Sequence, residues 1–426
     1  MIDYLKEKLY FLAAWYFRFW ARIKLARWNP RIIVITGSSG KTTLMHFVES
    51  QLTGKAKISH HANSSIGVPF DILGIERPTL KASEWPGILL AAPLKAFAGP
   101  PTQQFYVVEC DCDRPGEGKF LSEFLNPEIT LWISISRTHT MNFDHLVTDK
   151  TFTTVEEAVA HEFGYFIQNT QKLVIINGDS KLMKQQTSRT KAQVQEVSAN
   201  SLQEYTLTNS GTHFTINQQH YSFNQLHPKE VAITIQQTKS LMDYLQLPFD
   251  TTFTHLTIPP GRTTIHKGIK NTTLIDSTYN ANLISMKAIL EMFTLIQSDK
   301  KWVVLGDMRE LGAEDKEEHE KLAEILASMN LQKIILMGSS INKYTYPHLK
   351  SLLNNDPKIL SCENHTDTLK YLKDNIQGNE TILFKASQSQ VFEGFIEPLL
   401  ANSEDIKTLP RREIYWIEYR KQRGLV

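Results

Sequence analysis

The chain has 426 residues, of which 41% are hydrophobic and 21% charged, with a formal net charge of +1. This balance gives no reason to expect a nucleic acid or another polyanion as a partner, and the length predicts more than one domain. Three cysteines are too few and too badly spaced for a zinc site or a disulfide framework, and a reducing cytoplasm fits them.

The first predicted element is a basic, aromatic and amphipathic helix over residues 1–29. Apolar residues recur in it at steps of three and four, and six basic residues accompany two acidic ones. Its apolar run is too short to cross a membrane. Two uses stay open: the helix docks on its own domain or on a partner subunit, or it lies at the inner face of the membrane through Trp15, Trp20 and Trp28.

The next stretch, residues 32–43, combines a β-branched run, a loop with two glycines and the start of an amphipathic helix. This pattern is typical of a phosphate-binding loop, in which backbone N–H groups and the helix N-terminus surround an anion. Lys41 would reach the β- and γ-phosphates and Thr42 would ligate Mg²⁺. The predicted nucleotide-binding residues of the loop are Gly37, Ser38, Ser39, Gly40, Lys41, Thr42 and Thr43.

Two buried strands are predicted to bring polar groups to the same edge. The strand Phe105 to Cys110 carries Glu109 near its end, and the strand Ile129 to Ser136 is followed by His139. Because ligands of a doubly wound sheet bind beyond the carboxyl ends of its parallel strands, we expect both side chains to lie near Lys41.

The adjacent histidines His60 and His61 lie in a polar loop between the phosphate loop and the first of these strands. Neighbouring histidines invite interpretation as metal ligands. Since no further ligand lies close to them in the sequence, we interpret them as loop residues.

The remaining pattern predicts an α/β protein with two α/β domains. Residues 155–168 form a helix, residues 198–224 alternate as short antiparallel strands, and Pro259, Pro260 and Gly261 mark a boundary. Beyond it, strands and helices alternate again, up to a helix over 391–400. We therefore predict a P-loop ATPase domain with a parallel sheet at residues 30–258 and a Rossmann-like α/β domain at residues 259–426.

Six motifs, taken together, resemble the Mur ligase family, in particular its MurF branch. They are GSSGKTT at 37–43, NSSIGVP at 63–69, VVEC with DRPGE at 107–117, GR at 261–262, IDSTYNAN at 275–282 and LGDMRELG at 305–312. The last two in succession are the most specific, whereas the phosphate loop alone would indicate only a nucleotide.

This resemblance implies an ATP-dependent amide ligase with ATP and Mg²⁺ as cofactors. The enzymes of the family activate a substrate carboxylate as an acyl phosphate, which an amine then attacks. Carried over by position, the resemblance implies catalytic roles for Lys41, Glu109 and His139, metal ligation by Thr42, Glu109, His139 and His161, and nucleotide contacts from Arg262, Asp276 and Asn280. It also implies that four residues of the second domain face the incoming amine, in a site shared by both domains: Asn280, Asn282, Asp307 and Glu310.

The resemblance leaves the substrates open. In the family a further N-terminal domain holds a UDP-linked sugar, whereas here only the helix at 1–29 precedes the phosphate loop. His161 stands where the family has a carbamylated lysine. The acceptor could therefore be lipid-linked or held by a partner subunit. A polyglutamate-type ligase and an ATP-binding scaffold without activity are the alternatives to a cell-wall ligase.

Overall fold

A computed structural model describes residues 2–60, 62–77, 82–137, 140–208 and 211–422, with the backbone alone at residues 2–9, 82 and 140. The chain divides into two compact units. The first comprises Met1–Ala199 and Ile233–Thr257, and the second comprises Asn200–Ala232 and Ile258–Val426. The main segment of the second unit thus begins beside the predicted boundary, and residues 200–232, which lie within the predicted domain 30–258, pack with this unit.

The first unit is an α/β unit around one sheet. Its strands are β1 (Arg31–Thr36), β2 (Ala56–Ser59), β3 (Phe105–Cys110), β4 (Ile129–Trp132), β5 (Leu173–Asn177) and β6 (Gln193–Val197). Its α-helices are α1 (Ile2–Trp28), α2 (Lys41–Gln51), α3 (Gly67–Leu73), α4 (Trp85–Phe97), α5 (Glu117–Leu125), α6 (Asp144–Thr148), α7 (Val155–Gln168), α8 (Lys181–Gln186) and, from Ile233 onward, α9 (Val231–Leu245). The strand order is β2-β3-β1-β4-β5-β6, and every pair is parallel.

The β1 strand lies inside this sheet because both of its faces are apolar. Ile33 and Ile35 pack with residues of α2 and α9 on one face, while Val34 belongs to the core that includes α1, α3 and α5 on the other. Such burial on both sides is typical of parallel strands covered by helices. It places the residues that follow β1 at the carboxyl edge of the sheet.

Helix α1 docks on its own unit along one face. Phe17 and Ala21 are fully buried. Arg18 Nη1 donates to Phe120 O at 3.0 Å, and Trp28 Nε1 donates to Gln103 O at 2.7 Å. The face of α1 that carries Phe17 and Ala21 therefore docks on the helix's own unit, as one of the two alternatives proposed. In the described part of the chain, no helix combines the length and the apolar character needed to cross a membrane.

The second unit contains a larger and a smaller sheet. Its strands are β7 (Leu202–Leu207), β8 (Thr212–Ile216), β9 (Gln219–Phe223), β10 (Thr264–Lys267), β11 (Thr273–Asp276), β12 (Lys301–Gly306), β13 (Lys333–Met337), β14 (Ile359–Cys362) and β15 (Thr381–Lys385). Its other α-helices are α10 (Leu283–Leu295), α11 (Asp315–Ala327), α12 (Tyr346–Leu352), α13 (His365–Asn375), α14 (Glu393–Ile396) and α15 (Ile414–Gln422). The larger sheet has the order β10-β11-β15-β12-β13-β14, with only β10 antiparallel to its neighbour.

The three strands β7 to β9 form the predicted antiparallel meander. It joins the second unit because the segment after it packs there. Leu226 is buried in the core formed around β12 and α10, and Thr263 Oγ1 donates to Leu226 O at 2.5 Å. These contacts tie residues 200–232 to the second unit, while the domain boundaries predicted from the sequence stay a prediction.

Two predicted elements are shorter than expected. The strand predicted over 129–136 ends at Trp132, because the chain beyond it bonds to the phosphate loop instead: Ser38 N donates to Ser134 O at 3.1 Å, and Ser136 N donates to Ser38 Oγ at 3.0 Å. The helix predicted over 391–400 is reduced to α14 and flanking 3-10 turns, since Val391 has a left-handed backbone conformation. The predicted α/β fold class is nevertheless confirmed.

Candidate active site

The loop between β1 and α2 has the geometry of an anion-binding loop. Gly37 and Gly40 have φ of 130° and 85°, which side chains rarely permit. A Cβ atom on Gly37 would lie 2.7 Å from Ser134 O, so the close approach of the backbone also requires glycine there. No side chain caps the N-terminus of α2. Its first N–H groups can therefore serve a bound anion.

Lys41, at the start of α2, is buried and held by two oxygen atoms. Its Nζ donates to Gly37 O at 2.6 Å and pairs with Asp111 Oδ2 at 2.7 Å. Burial lowers the pKa of Lys41, but the charges of Asp111 and Glu109 outweigh it and raise that pKa above its usual value. The lysine is thus a fixed cation at the loop. Asp111 was missed in the sequence, although its position two residues after Glu109 was an available signal.

Glu109 and Thr42 are in contact at the phosphate loop. Parallel pairing of β3 with β1 aligns Glu109 with Ile35, just before the phosphate loop. Thr42 Oγ1 donates to Glu109 Oε2 at 2.9 Å, and both groups are half-buried. This is a pair of oxygen ligands of the kind that Mg²⁺ prefers. His139, the third predicted ligand, lies outside the described residues.

His161 occupies a different environment. Its ring centroid lies 5.3 Å from that of Phe152 and 5.3 Å from that of Tyr165. Burial, with the nearby charge of Arg189, lowers the pKa of His161. Its contacts among the described residues include neither Thr42 nor Glu109. The predicted metal role of His161 has no support from these contacts and stays a prediction.

In the second unit, Asp276 and Lys385 end the adjacent parallel strands β11 and β15. Asp276 is fully buried; its Oδ1 accepts hydrogen bonds from Thr278 N at 3.0 Å and Thr278 Oγ1 at 2.7 Å, and burial raises its pKa to about 6. Lys385 Nζ donates to Asn280 O at 2.8 Å. Burial, followed by repulsion from Arg262, lowers the pKa of Lys385 to about 7. Three of the implied nucleotide-binding residues therefore surround one buried lysine.

The other implied residues of the second unit have different surroundings. The Arg262 guanidinium lies over the ring of Tyr279, 4.1 Å from its centroid. Asn282 caps the N-terminus of α10 through its side chain, and Asp307 accepts a hydrogen bond from Ile341 N at 2.9 Å. Both side chains thus hold backbone in place, and their predicted position toward the incoming amine stays a prediction.

Known proteins share both the domains and the fold of this chain. Residues 35–238 match the Mur ligase middle domain, and residues 261–388 match the Mur ligase, glutamate ligase domain. A UDP-N-acetylmuramoyl-tripeptide–D-alanyl-D-alanine ligase of Bacillus subtilis is 22% identical over 89% of this chain and 78% of its own length. The corresponding ligase of Synechocystis is 24% identical over 89% of this chain and 77% of its own length.

Solved structures agree with this assignment. The MurF ligase of Thermotoga maritima, in complex with ADP, superimposes with a TM-score of 0.69 at 19% identity, over 94% of this chain and 83% of that one. MurF of Acinetobacter baumannii gives a TM-score of 0.71 at 18% identity, over 90% and 79%. Since the two domain matches together span most of the sequence, the chain belongs to the Mur ligase family.

Proposed function

We propose that this protein joins a substrate carboxylate to the amine of an amino acid or dipeptide, with cleavage of ATP to ADP and phosphate. The proposal is supported above all by one observation: the buried Lys41 ammonium and the Thr42–Glu109 pair lie at the same phosphate loop. A protein that only binds nucleotide has little need for the added carboxylate. The chain is an ATP-dependent amide ligase of the Mur type.

The reaction has two steps. A carboxylate oxygen attacks the γ-phosphorus and ADP leaves, which gives an acyl phosphate. The amine nitrogen then attacks the acyl carbon; phosphate leaves, the nitrogen loses a proton and an amide remains. Lys41 would offset the charge that develops on the phosphates, and the loop N–H groups would orient them. We propose that Arg262, Asp276 and Asn280 also bind the nucleotide, as the family resemblance implies.

The chemistry of the ligand atoms at the loop fits Mg²⁺. The Thr42 hydroxyl and the Glu109 carboxylate are oxygen ligands within 2.9 Å of each other. We propose that these two residues hold the ion. When bound, it would neutralise phosphate charge during transfer.

The decisive experiment measures phosphate release from ATP in the presence of Mg²⁺, with a panel of carboxylates crossed with a panel of amines. D-alanyl-D-alanine and UDP-muramoyl peptides come first, because the curated relatives are named for them. Stimulation by one pair, with the amide identified by mass spectrometry, would establish the reaction and its substrates. ATP binding without turnover for any pair would favour the scaffold alternative.

A lysine variant tests the loop itself. Lys41→Ala should abolish amine-dependent phosphate release, because the phosphates lose their buried cation. Lys239→Ala is the matched control, since this lysine is exposed on α9, where it pairs with Asp243 one turn away and lies over the ring of Phe249. Turnover in Lys41→Ala equal to that of the control would remove Lys41 from the reaction.

We further propose that helices α1 and α4 rest on the membrane surface. Four large apolar side chains of α4 are exposed, and Leu90 and Leu94 have the largest exposed fractions, 74% and 75%. On α1, Leu12, Trp15 and Phe19 are exposed at steps of three and four, on the side away from buried Phe17. The helices lie side by side, since Tyr16 OH donates to Leu89 O at 2.7 Å. Together they present an apolar surface that consists of Leu12, Trp15, Phe19, Leu90, Leu94 and Phe97.

Positive charge at one end of the apolar surface favours an anionic bilayer as its binding partner. Arg22, Arg27 and Lys95 are exposed near the C-terminal ends of the two helices. The buried Lys24 lies among them. Burial lowers the pKa of Lys24 most, and the charges of Lys95, Lys57 and Arg27 lower it further, which indicates a local excess of positive charge. An interfacial helix pair with aromatic and basic side chains is typical of peripheral membrane binding.

Vesicle sedimentation tests this proposal. We expect the protein to bind vesicles that contain phosphatidylglycerol and to bind pure phosphatidylcholine vesicles much less. The double variant Leu90→Gln, Leu94→Gln should lose binding, whereas Leu352→Gln, an exposed leucine of the second unit, should keep it. Equal sedimentation of the double variant and the wild type would contradict a membrane role for the apolar surface.

A further inference from the structure

Three potential metal ligands meet at the C-terminal half of α2, within the first unit. His46 and Glu49 lie three residues apart on this helix, and His60 directly follows strand β2. His46 Nδ1 lies 3.2 Å from Glu49 Oε2, and His60 Nε2 lies 2.9 Å from Glu49 Oε1. One ligand atom from each residue can be chosen so that all three lie within 4.8 Å of one another.

We propose that His46, Glu49 and His60 form a binding site for a divalent ion of the zinc class. Two imidazole nitrogens and one carboxylate oxygen are a ligand set that suits Zn²⁺ and Co²⁺, whereas Mg²⁺ and Ca²⁺ prefer oxygen ligands throughout. The site is distinct from the pair Thr42–Glu109, which offers oxygen atoms only.

The spacing of the ligand atoms agrees with such an ion. Metal–ligand bonds of about 2.0 to 2.1 Å in a tetrahedral site require ligand atoms roughly 3.3 Å apart. The two nitrogen–oxygen distances are 3.2 Å from His46 to Glu49 Oε2 and 2.9 Å from His60 to Glu49 Oε1, so each nitrogen lies close to this distance from a different oxygen of the same carboxylate. The His46 and His60 rings are nearly parallel, with centroids 5.0 Å apart, and lie side by side next to the carboxylate that both contact. A small opening of the three side chains would admit the ion.

Exposure of the site permits an ion to enter. The Glu49 and His60 side chains are partly exposed while His46 is largely covered, so three protein ligands leave a fourth position for water. A bound ion would connect α2, which carries Lys41 at its first turn, to the loop after β2. We therefore expect it to stabilise the helix that follows the phosphate loop.

The alternative is that the two imidazoles simply donate hydrogen bonds to Glu49. Titration with Co²⁺ in excess Mg²⁺ distinguishes the two cases, because tetrahedral Co²⁺ gives visible absorption bands and Mg²⁺ occupies the oxygen site. We expect one Co²⁺ per chain, displaced by Zn²⁺, and a Zn²⁺-dependent rise in melting temperature. His60→Ala should weaken Co²⁺ binding by at least about tenfold.

Two further variants complete this test. Glu49→Gln keeps the size and shape of the side chain but replaces the carboxylate by a weaker metal ligand. This variant should therefore also reduce the affinity for Co²⁺, as His60→Ala does. His348→Ala is the control, because His348 belongs to the second unit and lies 3.9 Å from Glu324 outside any three-ligand group of the described residues. Absence of the visible bands in the wild type, or their full retention in both His60→Ala and Glu49→Gln, would overturn the proposal.

Discussion

Replacement of Asp276 by asparagine should stabilise the protein and impair its activity. The buried Asp276 carboxylate accepts two hydrogen bonds at Oδ1, both from Thr278, and an amide oxygen can accept the same two. The other oxygen, Oδ2, accepts no hydrogen bond within the described residues, and its near neighbour is His266 Nε2 at 4.0 Å. Burial lowers the pKa of His266, so this neighbour is neutral and does not compensate the charge. Asparagine therefore keeps the contacts and removes an unfavourable charge.

The magnitude follows from the raised pKa of Asp276. Burial raises this pKa from 3.8 to about 6, and each pH unit of difference corresponds to about 1.4 kcal/mol, so the ionised form costs about 3 kcal/mol at pH 8. Because the pKa of Asp276 is raised, the native state binds more protons than the unfolded state between pH 3.8 and about 6. The contribution of Asp276 to stability is thus fully present below pH 4 and is lost as the pH rises from 4 through 6. Asparagine avoids this loss.

Thermal unfolding at several pH values measures the effect. At pH 8 the melting temperature of Asp276→Asn should exceed that of the wild type by roughly 5 to 10 °C, and at pH 5 about half of the stability difference should remain. Amine-dependent phosphate release should fall, because we propose that the Asp276 carboxylate binds the nucleotide. The wild type would then keep this buried charge for nucleotide binding although the charge lowers its stability. A difference that does not change with pH, or a less stable variant at pH 8, would refute the reasoning.

Asp307 provides the matched control for this experiment. It follows strand β12, in the same sheet, and is equally buried. Both of its oxygens accept hydrogen bonds, from Ile341 N at 2.9 Å and Ser339 N at 3.1 Å. An amide would place N–H groups against one of these donors. Asp307→Asn should therefore destabilise the protein by about 1 to 3 kcal/mol.

Three further changes test other parts of the structure. Asp111→Asn should tighten ADP binding by about tenfold, because phosphates would no longer compete with a buried carboxylate for Lys41; calorimetric titration measures this, and unchanged affinity would contradict it. Glu393→Ala should lower the free energy of unfolding by about 3 to 5 kcal/mol, because buried Arg411 loses its carboxylate partner at 2.6 Å; a urea midpoint like that of the wild type would refute this. Gly37→Ala should weaken ADP binding by at least about tenfold, since φ is 130° and the added Cβ would strike backbone 2.7 Å away; full affinity in the same titration would exclude this strain.

The phosphate loop could be predicted from the sequence because its chemistry is local. A strand, two glycines, a lysine and a threonine within twelve residues define the loop, and the position of Glu109 at the same sheet edge follows from parallel strand order. Recognition of the family and of the α/β class depended on such short motifs, and both are confirmed.

Contacts between distant segments could not be predicted in this way. His60 lies near His46 only because β2 occupies the edge of the sheet beside β3, next to the C-terminal half of α2. The contact of Asp111 with Lys41 also joins two segments, although the position of Asp111 two residues after Glu109 was a signal that the sequence offered. In both cases each side chain was visible in the sequence, but its partner depended on how the strands are ordered.

The division of the chain has a practical consequence for dissecting the protein. The backbone passes from one unit to the other three times, after Ala199, after Ala232 and after Thr257. A fragment cut at the last of these points alone would retain strands β7 to β9 without the core that covers Leu226. To produce the first unit alone, residues 200–232 would have to be removed and replaced by a short linker. The reason is that this segment of the second unit is inserted between the two segments of the first.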